Sequence, residues 1–324
     1  CFEVVLLPNG KNMNKHTKTI IWKPICVMGF SALVVSVGQA QLLNENFDAT
    51  DGGFVSTFSG PGIQPWIYNG VSGTWSVLGD EATVAVNDYL TSPAIPIATT
   101  GGIEIEIEHK YSFEAEWDGG VIQISIDGGD FHSIPTSSFS ANPYTFAALI
   151  GTHDLTGQEA FNGDSADIGL GSYITSTATS PVGIAAGSTV QVRLTAGFDA
   201  NTLGAFSPAW EVTAFRVTKQ VDGDSDGMPD DYEIANSLNP ADAADAAADA
   251  DSDLVSNLDE YLLGTDPGDD DSDDDGLKDN VESNTGVYVS ADDTGTDPLK
   301  ADSDGDGLSD GVEDPALVFV DANQ

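Results

Sequence analysis

The 324-residue sequence predicts a mainly β protein in two parts, an antiparallel two-sheet sandwich followed by an irregular, metal-binding repeat region with short helices. Two observations carry this reading. Between residues 42 and 220 apolar residues alternate with polar ones and helical periodicity is almost absent, which is the mark of strands lying on a core. From Asp222 to Glu313 one spacing of acidic side chains then occurs four times.

In chain order, residues 1–12 precede Met13 and read as upstream sequence. Lys15, Lys18 and Lys23, an apolar run from Ile25 to Val37 and the small-x-small triplet Gly38-Gln39-Ala40 form a secretory signal, so residues 1–40 are assigned to a leader cleaved near Ala40. The apolar run is too short for a membrane span. This predicts a secreted or cell-surface protein that is not inserted in a membrane after cleavage. The sandwich is assigned to residues 41–220. Ile103, Ile105, Ile107 and His109 alternate with Glu104, Glu106, Glu108 and Lys110. Ile122, Ile124 and Ile126 alternate with Gln123 and Ser125; Val190, Val192 and Leu194 with Gln191, Arg193 and Thr195; Trp210, Val212 and Ala214 with Glu211 and Thr213. Each strand is expected to have one wet and one buried face, with turns at Asp118-Gly119-Gly120 and Asp127-Gly128-Gly129.

The repeats occupy residues 221–324. Oxygen-bearing side chains fall at loop positions 1, 3, 5, 9 and 12: Asp222, Asp224, Asp226, Asp230 and Glu233; Asp249, Asp251, Asp253, Asn257 and Glu260; Asp271, Asp273, Asp275, Asp279 and Glu282; Asp302, Asp304, Asp306, Asp310 and Glu313. Carboxylates so close converge only around a hard divalent cation that takes about six to eight oxygens, and calcium fits best; no Cys or His stands at these positions to suit zinc, copper or iron. Gly227, Gly276 and Gly307 occupy position 6, where the loop reverses. Leu254 stands there in the second copy, which predicts a strained loop and the weakest site. Asn239-Pro240 and the following Ala-rich run predict a capped short helix, and Val255, Leu258 and Leu262 share one helical face.

The DxDxDGxxD loops with intervening Gly264-Thr265-Asp266-Pro267 and Gly295-Thr296-Asp297-Pro298 resemble bacterial thrombospondin type 3 calcium-binding repeats over about 92 residues. That resemblance implies a segment with little apolar core that wraps around bound calcium. Helix-breaking prolines between the loops argue against helix-flanked EF-hands. The stretch Tyr111 to Ile134 resembles the jelly-roll accessory domains of secreted metallopeptidases of the immune inhibitor A type, themselves similar to MAM domains. This implies a concanavalin-like jelly-roll sandwich with a structural cation near Glu114 and Asp118.

The chain carries 53 acidic against 10 basic residues, net −43. Residues 221–324 account for 32 of the acidic and 2 of the basic ones. So anionic a chain excludes nucleic acid as a partner, because that association needs Lys and Arg to neutralise phosphate. The two cysteines, Cys1 and Cys26, both precede residue 41, so residues 41–324 have no disulfide framework. No HExxH, GxSxG or phosphate-cradling glycine loop is present, and His109 falls on an apolar register. No enzymatic activity is therefore expected. The sequence reads as a calcium-binding adhesion or recognition protein whose sandwich takes an extracellular glycan or protein. The alternatives are the non-catalytic accessory region of a secreted hydrolase and a carbohydrate-binding module that uses Trp66, Tyr68, Trp75, Tyr89 or Tyr144.

Overall fold

A computed structural model describes residues 40–60, 65–79, 85–199 and 206–312, all within one compact unit. The predicted leader and Glu313 lie outside the described residues. Two antiparallel sheets face each other as a jelly-roll sandwich. The first sheet runs in the order β10 (Phe139–Ala141), β11 (Ile174–Thr179), β7 (Ile103–Tyr111), β13 (Trp210–Lys219), β4 (Thr74–Val77) and β3 (Ile67–Asn69), with β1 (Gln41–Glu45) also paired to β13. The second runs β2 (Val55–Ser59), β5 (Val86–Thr91), β12 (Thr189–Phe198), β8 (Gly119–Ile126) and β9 (His132–Ser133), with β6 (Ile95–Pro96) on β12.

Ile103, Ile105, Ile107, Val212 and Val217 of the first sheet lie against Ile122, Ile124, Val190, Val192 and Leu194 of the second, all buried in one core. In β13 a bulge between Val212 and Ala214 shifts the alternation, so that Phe215 and Val217, and not the expected Ala214, face the core. His109 belongs to this core. Its Nδ1 accepts the Trp210 Nε1–H at 2.9 Å, which leaves the proton on Nε2 to meet Ser176 Oγ at 2.8 Å. Burial holds the imidazole neutral, with its pKa lowered to about 3.

Two sequence expectations fail in the second sheet. Asp118-Gly119-Gly120 is not a turn between strands: Gly119 and Gly120 open β8. A Cβ on Gly120 would lie 2.4 Å from Trp210 Cζ3 and one on Gly119 2.7 Å from Leu149 Cδ1, so both glycines serve close packing. Nor does this sheet have a wet outer face throughout. Val121, Gln123 and Thr195 are buried on the outer register because the segment around His153 crosses it. Asp154 N–H donates to Asn87 Oδ1 at 3.1 Å, Gln158 Oε1 accepts from Ser133 Oγ, and the His153 ring sits directly over Gly197.

After β13 the chain enters the repeats, where helix is short: α1 (Asp230–Ala235) and α2 (Asn257–Leu263). The helix expected after Asn239-Pro240 does not form; only a three-residue 3₁₀ turn, Asp245–Ala247, is present. Asp245 Oδ2 takes the Asn239 N–H at 2.7 Å and Asp242 Oδ1 the Ala244 N–H at 3.3 Å, so side chains capture amides that a helix would need. Met228, Ala246 and Tyr261 form a second small apolar cluster, flanked by Tyr232, Leu238 and Leu258. This cluster seats the repeats on the sandwich. Gly183 N–H donates to the Tyr261 carbonyl at 2.9 Å, Gln220 N–H to the Gly102 carbonyl at 3.0 Å, and Lys219 Nζ lies 3.6 Å from Asp222 Oδ2. Side chains on Gly102 or Gly183 would collide with Tyr261.

Candidate metal centres

The four acidic loops share one backbone path. Position 4 has positive φ in all of them (Ser225 66°, Ser252 72°, Asp274 61°, Gly305 78°), and so does position 6 (Gly227 108°, Leu254 89°, Gly276 101°, Gly307 97°). Leu254 therefore adopts the turn that glycine makes elsewhere, at a steric cost that its exposed side chain does not offset by packing.

The same hydrogen bonds recur. The position 1 carboxylate accepts the position 6 amide through Oδ2: Gly227 to Asp222 at 3.3 Å, Leu254 to Asp249 at 3.1 Å, Gly276 to Asp271 at 2.9 Å, Gly307 to Asp302 at 2.8 Å. Asp224, Asp251, Asp273 and Asp304 at position 3 take the position 5 amide through Oδ1. Asp226, Asp253, Asp275 and Asp306 at position 5 take the position 7 amide in the same way. At position 1 both oxygens are spent on fixing the loop, because Oδ1 of Asp222, Asp249 and Asp302 also takes the position 4 amide and Oδ1 of Asp271 the position 5 amide. At positions 3 and 5 only Oδ1 is spent within the loop. Oδ2 of Asp224, Asp226, Asp251, Asp253 and Asp273 is buried with no hydrogen-bond partner.

Position 12 completes the arrangement. Glu233 on α1 and Glu260 on α2 are fully buried and Glu282 nearly so, and both carboxylate oxygens of each lack a partner. An unpaired buried carboxylate is too costly to be a packing element. Burial first, then the neighbouring aspartates, pushes Glu233 up to about 7 and Glu260 and Glu282 up to about 8. One carboxylate oxygen from each of Asp222, Asp224 and Asp226, from each of Asp249, Asp251 and Asp253, and from each of Asp271, Asp273 and Asp275 falls within 4.8 Å of the others in its loop. Ligands on opposite sides of a calcium ion with bonds of about 2.4 Å are separated by that distance. The donor set fits calcium on three counts: all-oxygen chemistry, convergent unpartnered oxygens and buried glutamates at the closing position.

Position 9 has a different task. Asp230 takes the Gly223 amide at 2.6 Å, Asn257 the Ala250 amide at 3.2 Å, Asp279 the Ser272 amide at 2.9 Å and Asp310 the Ser303 amide at 3.1 Å. These residues brace position 2 of their own loop, which Asn does as well as Asp. Adjacent loops also touch. Gly311 N–H donates to Asp275 Oδ2 at 3.0 Å, and the Asp279 charge contributes to the raised pKa of Glu260.

Sequence reasoning missed Asp245, whose carboxylate lies within 4.8 Å of those of Asp226 and Glu233. Nothing in the repeated spacing singles out Asp245 from the other acids between the first two loops. In the sandwich, Glu114 and Asp118 meet a third carboxylate, Asp199 at the end of β12, within the same 4.8 Å. Asp118 is almost wholly buried and is pushed up to about 7, by burial first, although its Oδ1 accepts the Asp199 amide at 2.8 Å.

The aromatics considered for a sugar site separate clearly. Trp66, Trp75 and Tyr144 are core residues, and Tyr68 spends its hydroxyl on the Phe47 carbonyl at 2.7 Å. Tyr89 is half-buried on the outer face of the second sheet. There the Arg193 guanidinium lies 4.5 Å from the Tyr89 ring centroid and 4.0 Å from that of Phe131, and donates to Gln123 Oε1 at 2.6 Å. No helix among the described residues is long and apolar enough to cross a membrane.

No family model matches the chain, and no curated protein does. Among solved structures it is similar to TmCBM61 in complex with β-1,4-galactotriose (7% identity over 52% of this chain and 89% of that one, TM-score 0.29). It is also similar to a xylan-binding domain from Paenibacillus barcinonensis (11%, 56% and 95%, TM-score 0.29) and to the K1 cleaved adhesin domain of Lys-gingipain from Porphyromonas gingivalis (12%, 56% and 98%, TM-score 0.29). TM-scores this low carry no weight for family or function, and the fold assignment rests on the sheets themselves.

Proposed function

We propose that this is a secreted calcium-binding recognition protein in which calcium folds the acidic repeats into a defined extension of the β-sandwich. The observation that carries the reading is the trio Glu233, Glu260 and Glu282: buried, without hydrogen-bond partners, and each closing a loop whose carboxylates at positions 1, 3 and 5 come within 4.8 Å of one another. Calcium binding and folding of the repeats are then one event, since only the cation offsets the repulsion among these groups. No step of bond making or breaking is assigned to the chain. Glu114, Asp118 and Asp199 would hold a further, structural cation in the sandwich. Calcium titration of the whole chain by calorimetry, with small-angle scattering of the calcium-free and loaded forms, tests this. Three or more ions bound with compaction support it, and no binding at millimolar calcium overturns it.

For the sandwich, the face bearing Tyr89, Phe131 and Arg193 supports a glycan as ligand, because it combines aromatic rings and a guanidinium with the exposed Asp154 carboxylate, which accepts the Tyr89 hydroxyl at 3.0 Å. A glycan array probed in calcium is the test. If no glycan binds, this reading of the face is wrong.

A further inference from the structure

Resting on the calcium reading, we infer that Asp245, which lies outside every copy of the repeated spacing, is a ligand of the first loop's cation and ties that loop to the second. Oδ1 of Asp245 is buried and has no hydrogen-bond partner, while its Oδ2 is occupied by the Asn239 amide at 2.7 Å. The Asp245 carboxylate comes within 4.8 Å of oxygens from Asp226 and Glu233. Glu233 is fully buried with both oxygens unpartnered, which marks this as a place built for a cation rather than a chance crowding of surface acids. Asp226 belongs to this triad and also to the one with Asp222 and Asp224, so Asp245 approaches the same centre from a different stretch of chain.

That stretch leads directly into the second loop. Asn257, the bracing residue of that loop, donates from Nδ2 to the Asp245 carbonyl at 2.9 Å, and its backbone amide donates to the Ala248 carbonyl at 2.8 Å. A cation that holds the Asp245 carboxylate therefore fixes the carbonyl on which the second loop is braced. This accounts for the single Asn at position 9. Asp310 of the fourth loop carries its charge next to the third, where Gly311 N–H reaches Asp275 Oδ2, and the acid that approaches the first loop comes instead from Asp245. Neighbouring loops thus fill cooperatively, the first ordering the second.

The test is calcium titration of the whole chain by calorimetry for the wild type, Asp245→Asn, Glu233→Gln and Asp242→Asn, with melting curves in chelator. Asparagine keeps an acceptor for the Asn239 amide, so Asp245→Asn should melt in chelator no lower than the wild type. With calcium it should weaken one ion by about tenfold or more. Glu233→Gln should affect the same ion, and Asp242→Asn, exposed and outside the triads, should change nothing. If Asp245→Asn gives the wild-type isotherm while Glu233→Gln loses one ion, the inference is wrong and the calcium reading stands. A drop in melting temperature in chelator would make Asp245 a structural residue and also overturn the inference. Absence of calcium binding in the wild type would instead sink the reading on which it rests.

Discussion

Replacing Tyr261 with Ala should detach the repeats from the sandwich while leaving the sandwich folded. Tyr261 is almost wholly buried, its ring centroid is 4.4 Å from that of Tyr232, and its carbonyl accepts the Gly183 amide. Truncating a buried aromatic to Ala costs about 3–5 kcal/mol. The Tyr261 hydroxyl is buried without a hydrogen-bond partner, and its loss returns about 1 kcal/mol, so a net cost of about 3 kcal/mol remains. The cluster it anchors has only two other buried members, Met228 and Ala246, and cannot absorb that loss. Native-state hydrogen exchange in calcium is the assay. Protection of the Gly183 amide should fall by about a hundredfold, since each 1.4 kcal/mol is a factor of ten. Amides at the centre of β12, such as that of Leu194, should be unaffected. Tyr261→Phe keeps the ring and loses only the unpartnered hydroxyl, so it should raise protection at Gly183 by about fivefold and leave Leu194 unchanged. Equal loss of protection at Gly183 and Leu194, or none at Gly183, would refute the idea of a separately breakable joint.

Leu254→Gly should raise the calcium affinity of the second loop and the melting temperature of the loaded protein. It relieves about 1–2 kcal/mol of left-handed strain at φ 89° and costs about 0.5–1 kcal/mol of backbone entropy, a net gain; a lower melting temperature would count against the strain. Calcium binding at pH 7 should release protons, read as a buffer-dependent calorimetric enthalpy, because Glu233, Glu260 and Glu282 are raised to about 7, 8 and 8. Their folded values exceed the unfolded ones, so their contribution to the calcium-free fold is complete below about pH 4.5 and lost as pH rises through 7 to 8; calcium should reverse that trend, and a pH-independent affinity between 6 and 9 would contradict it. His109→Ala should cost about 2–4 kcal/mol in urea unfolding, because Trp210 N–H and Ser176 Oγ lose their partner. Since the folded pKa of His109 is lowered, its contribution is present above about pH 6.5 and fades as pH falls toward 3.

The strands were legible because one of their faces is buried, and burial imposes period two. Ile103–Tyr111 extends its predicted run by one residue, whereas Trp210–Lys219 keeps the predicted alternation only to Val212, where a bulge that local periodicity does not announce turns Ala214 out of the core. The outer face of the second sheet was not legible. Gln123 and Thr195 sit at polar positions of the alternation, and only the later segment around His153 buries them. The spacing of the repeated loops was legible because their geometry is local: at positions 3 and 5 one carboxylate oxygen takes an amide two residues on, and at position 1 one five residues on. Asp245 and Asp199 were not legible, since nothing local distinguishes them from other acids, and their place depends on how α1 and the end of β12 pack. The predicted Ala-rich helix failed for the same reason in reverse, because the aspartates in it found amides to bind.

On the proposed reading, the joint decides what calcium can tell the sandwich. Lys219, the last residue of β13, lies against Asp222, the first ligand position. Glu260 closes the second loop from the same two turns of α2 that carry Tyr261 onto Gly183. The metal and the joint therefore share one rigid element of seven residues. A cation that fixes Glu260 fixes the Tyr261 ring, and with it the loops at Gly102 and Gly183 that end the sandwich. A flexible linker at residue 220 would have isolated the sandwich from the repeats. The direct run from strand into loop instead makes the first two sites part of the recognition domain, so the extension begins, in energetic terms, with the third loop.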